Sequence, residues 1–157
     1  MGERRAISAA SIIMCVVAMT QAGAPPAPAL AQTPLTATRP GPCPLARVST
    51  ETVQAYAARV IACAAGIWSV PGGVDRAICI ARRESGLNPA ASSPNGDYLG
   101  LFQHSAKYWP ARYAAWTRVG WQLRPSALNA RTNAVVTLRM VHAAGRWSTA
   151  GWSPKGC

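Results

Sequence analysis

Glu84 lies in the segment Arg82–Gln103, RRESGLNPAASSPNGDYLGLFQ, at the end of a predicted helix and just ahead of Gly86. Once an N-terminal leader is set aside, Glu51, Asp75, Glu84 and Asp97 are the only acidic residues left. A carboxylic acid that is still protonated near neutral pH can give its proton to a leaving sugar oxygen, the step on which glycoside cleavage turns. Ordinary glutamate, with a pKa of about 4.3, is ionised there. Its pKa must be raised by burial, by a like charge or by an unfavourable dipole. The last turn of a helix presents the negative end of the macrodipole, worth roughly 0.3–1 kcal/mol against a carboxylate. That is less than one pKa unit, so apolar walls must supply the rest. Arg82 and Arg83 oppose the shift, but neighbours one and two along a helix point to other faces. The plain alternative is a surface glutamate beside two arginines. Asp97 follows 13 residues later, in Asn95-Gly96-Asp97. It can hold an attacking water, as an inverting hydrolase requires with carboxyls roughly 6.5–9.5 Å apart. It can equally be an Asx-turn residue.

The elements that must position these groups are helical. Residues 32–48 hold four prolines and little periodicity, and read as an extended lead-in tied down at Cys43. From Ser49 or Thr50, either of which can cap the turn holding Glu51, Val53, Tyr56, Ala57, Val60, Ile61 and Ala64 recur at helical spacing. A second helix is predicted over about Val74–Ser85, stopped by Gly86. Asn88-Pro89 and Pro94-Asn95-Gly96-Asp97 are turn signals, so the stretch to Gln103 reads as an irregular loop or short hairpin. A third helix is predicted near Ser105–Arg118, interrupted at Pro110. A last long helix is predicted from Pro125 or Ser126 to Gly145, with Val135, Val136, Leu138, Met140 and Val141 along it and Asn133 one turn inward. The tail has no periodicity, and His142 is expected to pack on the last helix.

The start of the chain resembles a secretory leader: Arg4 and Arg5, an apolar run from Ala6 to Met19, then Ala29-Leu30-Ala31 as a cleavage site. The run is shorter than the ~20 residues a spanning helix needs; an uncleaved anchor is the alternative. Removing residues 1–31 takes 16 basic and 5 acidic residues to 14 and 4, a net charge of +10. It also removes Cys15 and leaves Cys43, Cys63, Cys79 and Cys157. An even set of cysteines behind a leader implies two disulfides in an oxidising compartment, with three pairings open. No C-x-x-C pair or nearby histidine suggests zinc, and no cofactor is implied. The positive charge points to an anionic partner. Outside a cell that means envelope polymer or an acidic lipid face rather than nucleic acid.

Three elements together resemble the goose-type lysozyme and lytic transglycosylase superfamily: Glu84-Ser85 ending a helix, Asn88-Pro89, and Gly100-Leu101-Phe102-Gln103. Cys79 before the Glu-Ser pair and the Gly151-Trp152…Cys157 ending are similar to the secreted actinobacterial branch that includes resuscitation-promoting factors. The resemblance covers roughly Val74–Cys157. It implies a mainly α, lysozyme-like domain over 49–157. In it, Glu84 is the general acid on the bond between N-acetylmuramic acid and N-acetylglucosamine. Ser85 orients substrate or carboxylate, Gln103 lines the cleft, and Gly100 lets backbone approach the sugar, unless it is a simple turn glycine. It favours a Cys79–Cys157 pair, which leaves Cys43 and Cys63 for each other. Trp152, pinned by that tail, is the best cleft-wall candidate. At least three of Trp109, Trp116, Trp121, Trp147 and Trp152 are expected in the core, and His104 is expected to be incidental to the chemistry. The family's Ala-Tyr-Asn stretch is missing, which leaves hydrolysis and formation of a 1,6-anhydro product both open.

The expectation is a secreted monomer that cleaves peptidoglycan glycan strands, drawn to anionic envelope polymers. A non-catalytic envelope-binding protein with the same cleft is the rival. A membrane-active cation is a third reading, but no strongly amphipathic basic helix supports it.

Overall fold

A computed structural model describes residues 40–157. The leader, its cleavage after Ala31 and residues 32–39 of the lead-in lie outside the described residues. The helices are α1 (Val53–Ile67), α2 (Gly73–Ser85), α3 (Trp109–Trp116), α4 (Ala130–Ala144) and the single turn α5 (Trp147–Ala150). One antiparallel hairpin, β1 (Tyr98–Leu99) and β2 (His104–Ser105), pairs Tyr98 with Ser105 and Leu99 with His104. The domain is thus mainly helical, with a short hairpin between α2 and α3.

α1 and α4 start later than the sequence suggests, and side-chain capping explains why; α3 starts at Trp109 rather than near Ser105 because Ser105 belongs to the hairpin. Thr52 is the cap of α1: its hydroxyl accepts from the Ala55 N–H at 3.1 Å. Glu51 stands outside the helix and takes Arg59 in an ion pair at 2.8 Å. Pro110 does not break α3; it occupies the first turn, where a missing N–H is harmless. α4 begins at Ala130 rather than at Pro125 or Ser126. Ser126 turns its hydroxyl to the Leu128 N–H, while Asn129 accepts from the Thr132 N–H at 3.0 Å and caps the helix. α5 has no counterpart in the sequence reading, being too short to show a period.

α4 is the axis of the core. Its residues from Thr132 to Leu138 are all buried, and it packs against α1, α3 and α5. The apolar side of α1 (Ala57, Val60, Ile61, Ala64) and that of α2 (Ala77, Ile80, Ala81) close one main cluster with Leu101, Phe102, Trp147 and Trp152. Trp109, Ala127 and Val136 form a smaller one.

Two disulfides fasten the ends. Cys43–Cys63 ties residues before α1 to α1, and Cys79–Cys157 ties α2 to the last residue. Residues 40–46 have more than the cysteine to hold them. Arg131 donates to the carbonyls of Pro40 and Pro42, Tyr56 donates to Leu45 O at 2.9 Å, and Arg59 donates to Ala46 O at 2.9 Å. His142 is exposed rather than packed, and its Nδ1 meets the Ser69 carbonyl at 2.8 Å. No helix of the described residues is long and apolar enough to cross a membrane.

Candidate functional site

α2 ends where the chemistry would begin. Gly86 takes the left-handed conformation (φ 64°) that closes a helix and donates its N–H to Arg82 O at 2.8 Å, leaving Glu84 in the last turn. Glu84 reaches one side of an open cleft of about 330 Å³, whose other walls are Tyr98, Gln103, Gly151, Trp152 and Ser153. Burial pushes the Glu84 pKa above its ordinary value, and the smaller effect of the Arg83 charge pulls the other way. Arg83 is held off by the tail, where its guanidinium donates to the Lys155 carbonyl.

Gly100–Gln103 forms the turn of the hairpin, and side chains from three elements hold its backbone. Ser85 Oγ donates to Leu101 O at 2.9 Å and shares its proton with Ala81 O at 3.0 Å. Asn133 Oδ1 accepts from the Phe102 N–H at 3.1 Å, while its Nδ2 donates to Ala127 O at 2.8 Å. Trp152 Nε1 donates to Phe102 O at 2.6 Å. The end of α2, the first turn of α4 and the tail therefore all grip one four-residue turn. Gln103, at its end, has φ 47°, and its side-chain amide donates back to Gly100 O at 2.9 Å. That conformation is uncommon for a residue with a side chain, and here the surrounding bonds hold it.

Glu84, Gln103 and Trp152 thus come together in one cleft. Ser85, Asp97 and Gly100 do not line it. Ser85 spends its single proton on carbonyls, so it positions the turn. Gly100 is buried. A Cβ there would fall 2.0 Å from Ala127 O and 2.3 Å from Asn133 Nδ2, so the close approach it permits is to α4 and the chain before it, not to a ligand. Asp97 is exposed, its carboxylate takes the Asn95 side-chain amide, and its carbonyl accepts from the Ala106 N–H at 2.7 Å. It is a turn residue.

Trp152 is only 5% exposed, so it is a wall of the cleft. Tyr98, 51% exposed, presents the open aromatic ring. Trp109 and Trp147 are buried, whereas Trp116 and Trp121 are half-buried. Behind Trp152 stands a polar chain. Arg112 donates to His104 Nδ1 at 3.0 Å; His104 Nε2 lies 2.8 Å from Thr137 Oγ1; and Thr137 donates to Asn133 O at 2.8 Å. A guanidinium can only donate, so Nδ1 carries the lone pair and Nε2 the proton, and His104 is neutral. Burial, and then the Arg112 charge, push its pKa down to about 3. His104 is therefore a structural group beneath the site.

No protein-family model matches the chain, and neither a curated protein nor a solved structure matches it. Function must be read from the cleft itself. Tyr98 and Ser153 went unnoticed in the sequence because a lone exposed tyrosine or serine carries no pattern. Asn133 did carry one, a polar residue on an apolar helix face. Among the described residues no group of three His, Cys, Asp or Glu side chains is placed to hold a metal. Among the described residues Glu84 is the one carboxylate that lines the cleft.

Proposed function

We propose that the chain is a secreted peptidoglycan-cleaving glycosidase of lysozyme-like fold, with Glu84 as its general acid and base. The observation that carries this reading is a glutamate with a raised pKa, alone as a carboxylate, in an open cleft walled by Tyr98, Gln103 and Trp152. A raised pKa favours the protonated form that an acid catalyst needs, and an open cleft has room for a polymer strand.

Because Asp97 is engaged in its turn, the single-acid route is favoured. Glu84 gives its proton to the bridging oxygen, and the bond from muramic acid C1 to that oxygen breaks through an oxocarbenium-like state. The Glu84 carboxylate then takes the proton of the C6 hydroxyl, whose oxygen closes onto C1. The products are a 1,6-anhydro sugar and a free 4-hydroxyl; no water is consumed and Glu84 is again protonated. Tyr98 offers a face for a sugar ring, Gln103 and Ser153 offer polar contacts, and Trp152 shields the acid from solvent. The net +10 of the chain beyond Ala31 would concentrate it on anionic envelope polymer. Digestion of purified peptidoglycan by the mature protein, compared with Glu84→Gln, is the test. Binding without cleavage would leave an envelope-binding protein.

A further inference from the structure

A second hollow, of about 440 Å³, is lined by the end of α1, residues 118–121, α4 and residues 40–42. Its charge comes from Arg118 and Arg139, and its apolar walls from Trp68, Trp121, Ile67 and Pro42. The Arg139 guanidinium stands 5.6 Å from the Trp68 ring centre and 5.2 Å from that of Trp121, and Arg118 stands 5.6 Å from Trp121. The two cations thus share one indole.

Among the described residues nothing acidic balances them. Glu51 is paired with Arg59, Glu84 faces the other cleft, and neither Asp75 nor Asp97 lines this hollow. Arg139 gives an N–H to the Trp116 carbonyl, and no other protein acceptor engages it or Arg118 among the described residues. Several N–H donors are therefore left without a protein acceptor on the lining of a hollow that carries two positive charges. A guanidinium group matches a phosphate or a carboxylate, which it can grip through two parallel hydrogen bonds. The indole walls match an apolar body beside the anion, such as the C–H face of a sugar ring.

We propose that this Arg118–Arg139 pocket binds an acidic sugar, one carrying a phosphate or a carboxylate, at a site separate from the Glu84 cleft. It gives the overall positive charge a specific seat and does not depend on Glu84 chemistry. The open mouth suits a residue within a polymer as well as a free sugar.

The test is titration of the mature protein, followed by NMR shifts of the Trp68 and Trp121 indole N–H groups. The probes are glucose 6-phosphate, glucuronate, glucose and inorganic phosphate. The expected result is saturable shifts with the two acidic sugars, with Kd of about 1 mM. Inorganic phosphate should bind at least about tenfold more weakly and glucose should not saturate. Arg118→Gln, an exposed change with no protein hydrogen bond to lose, should weaken the acidic sugars about tenfold. Glu84→Gln should leave these shifts intact, which separates the pocket from the cleft. The proposal is overturned if no probe saturates, if Arg118→Gln binds as the parent does, or if inorganic phosphate binds as tightly as glucose 6-phosphate.

Discussion

Glu84 feels two opposed influences, burial that raises its pKa and the Arg83 charge that lowers it, and burial is the larger. As the proposed acid it would work only while protonated, so kcat/KM should fall as pH rises through its raised pKa. Arg83→Gln removes the opposing charge, so the falling limb should move to higher pH; a pH–rate profile of each protein reads this directly. Glu84→Gln should lower turnover by about 10²–10⁴-fold. Its Tm should stay the same or rise, since a partly buried charge has been removed. Asp97→Asn should leave the rate within about threefold, because the Asp97 side chain is exposed and engaged with Asn95. A loss approaching that of Glu84→Gln would restore Asp97 as a second catalytic carboxylate.

The hairpin turn is the element on which the cleft depends. Asn133→Ala strands the Phe102 N–H and the Ala127 carbonyl, and should cost about 3 kcal/mol in urea unfolding. Gly100→Ala combines a positive φ with a collision against the Ala127 carbonyl, and should cost at least about 3 kcal/mol. Both should lower activity without touching substrate. Much of this level was legible in the sequence. Apolar spacing located α1, α2 and the body of α4, and Gly86 marked the stop that leaves Glu84 in its last turn. What the sequence hid was set by competition and by distance. Ser126, Asn129 and Thr52 are all plausible caps, and only the packed chain decides which side chain caps a helix. The resemblance implies that Ser85 and Gly100 approach substrate, yet both serve the turn, because their partners are the Leu101 carbonyl and the Ala127 carbonyl, which the folded chain brings to them. Asn133 stands among apolar residues of α4, but its partners, the Phe102 N–H and the Ala127 carbonyl, are brought to it only by the fold.

Over the whole molecule, stability rests on the two disulfides and on a buried neutral histidine. The 20-residue and 78-residue separations they span correspond to about 3 and about 4.5 kcal/mol in the chain-entropy account. Reduction should therefore destabilise the fold and release the tail that carries Trp152. His104 has its pKa pushed from 6.5 to about 3, so the folded form takes up a proton less readily than the unfolded chain. Its contribution is full above pH 6.5 and is lost as pH falls toward 3, by up to about 1.4 kcal/mol for each pH unit. Urea unfolding between pH 7 and pH 4 should show this slope in the parent and a flatter one in His104→Gln. The most direct test of the central proposal is mass spectrometry of purified peptidoglycan after incubation with the mature protein and with Glu84→Gln. A glycosidase with one acid should release 1,6-anhydro-muropeptides from the parent and none from the variant. Reducing-end products from the parent would contradict the single-acid route, and products undiminished in Glu84→Gln would contradict the role of Glu84 itself.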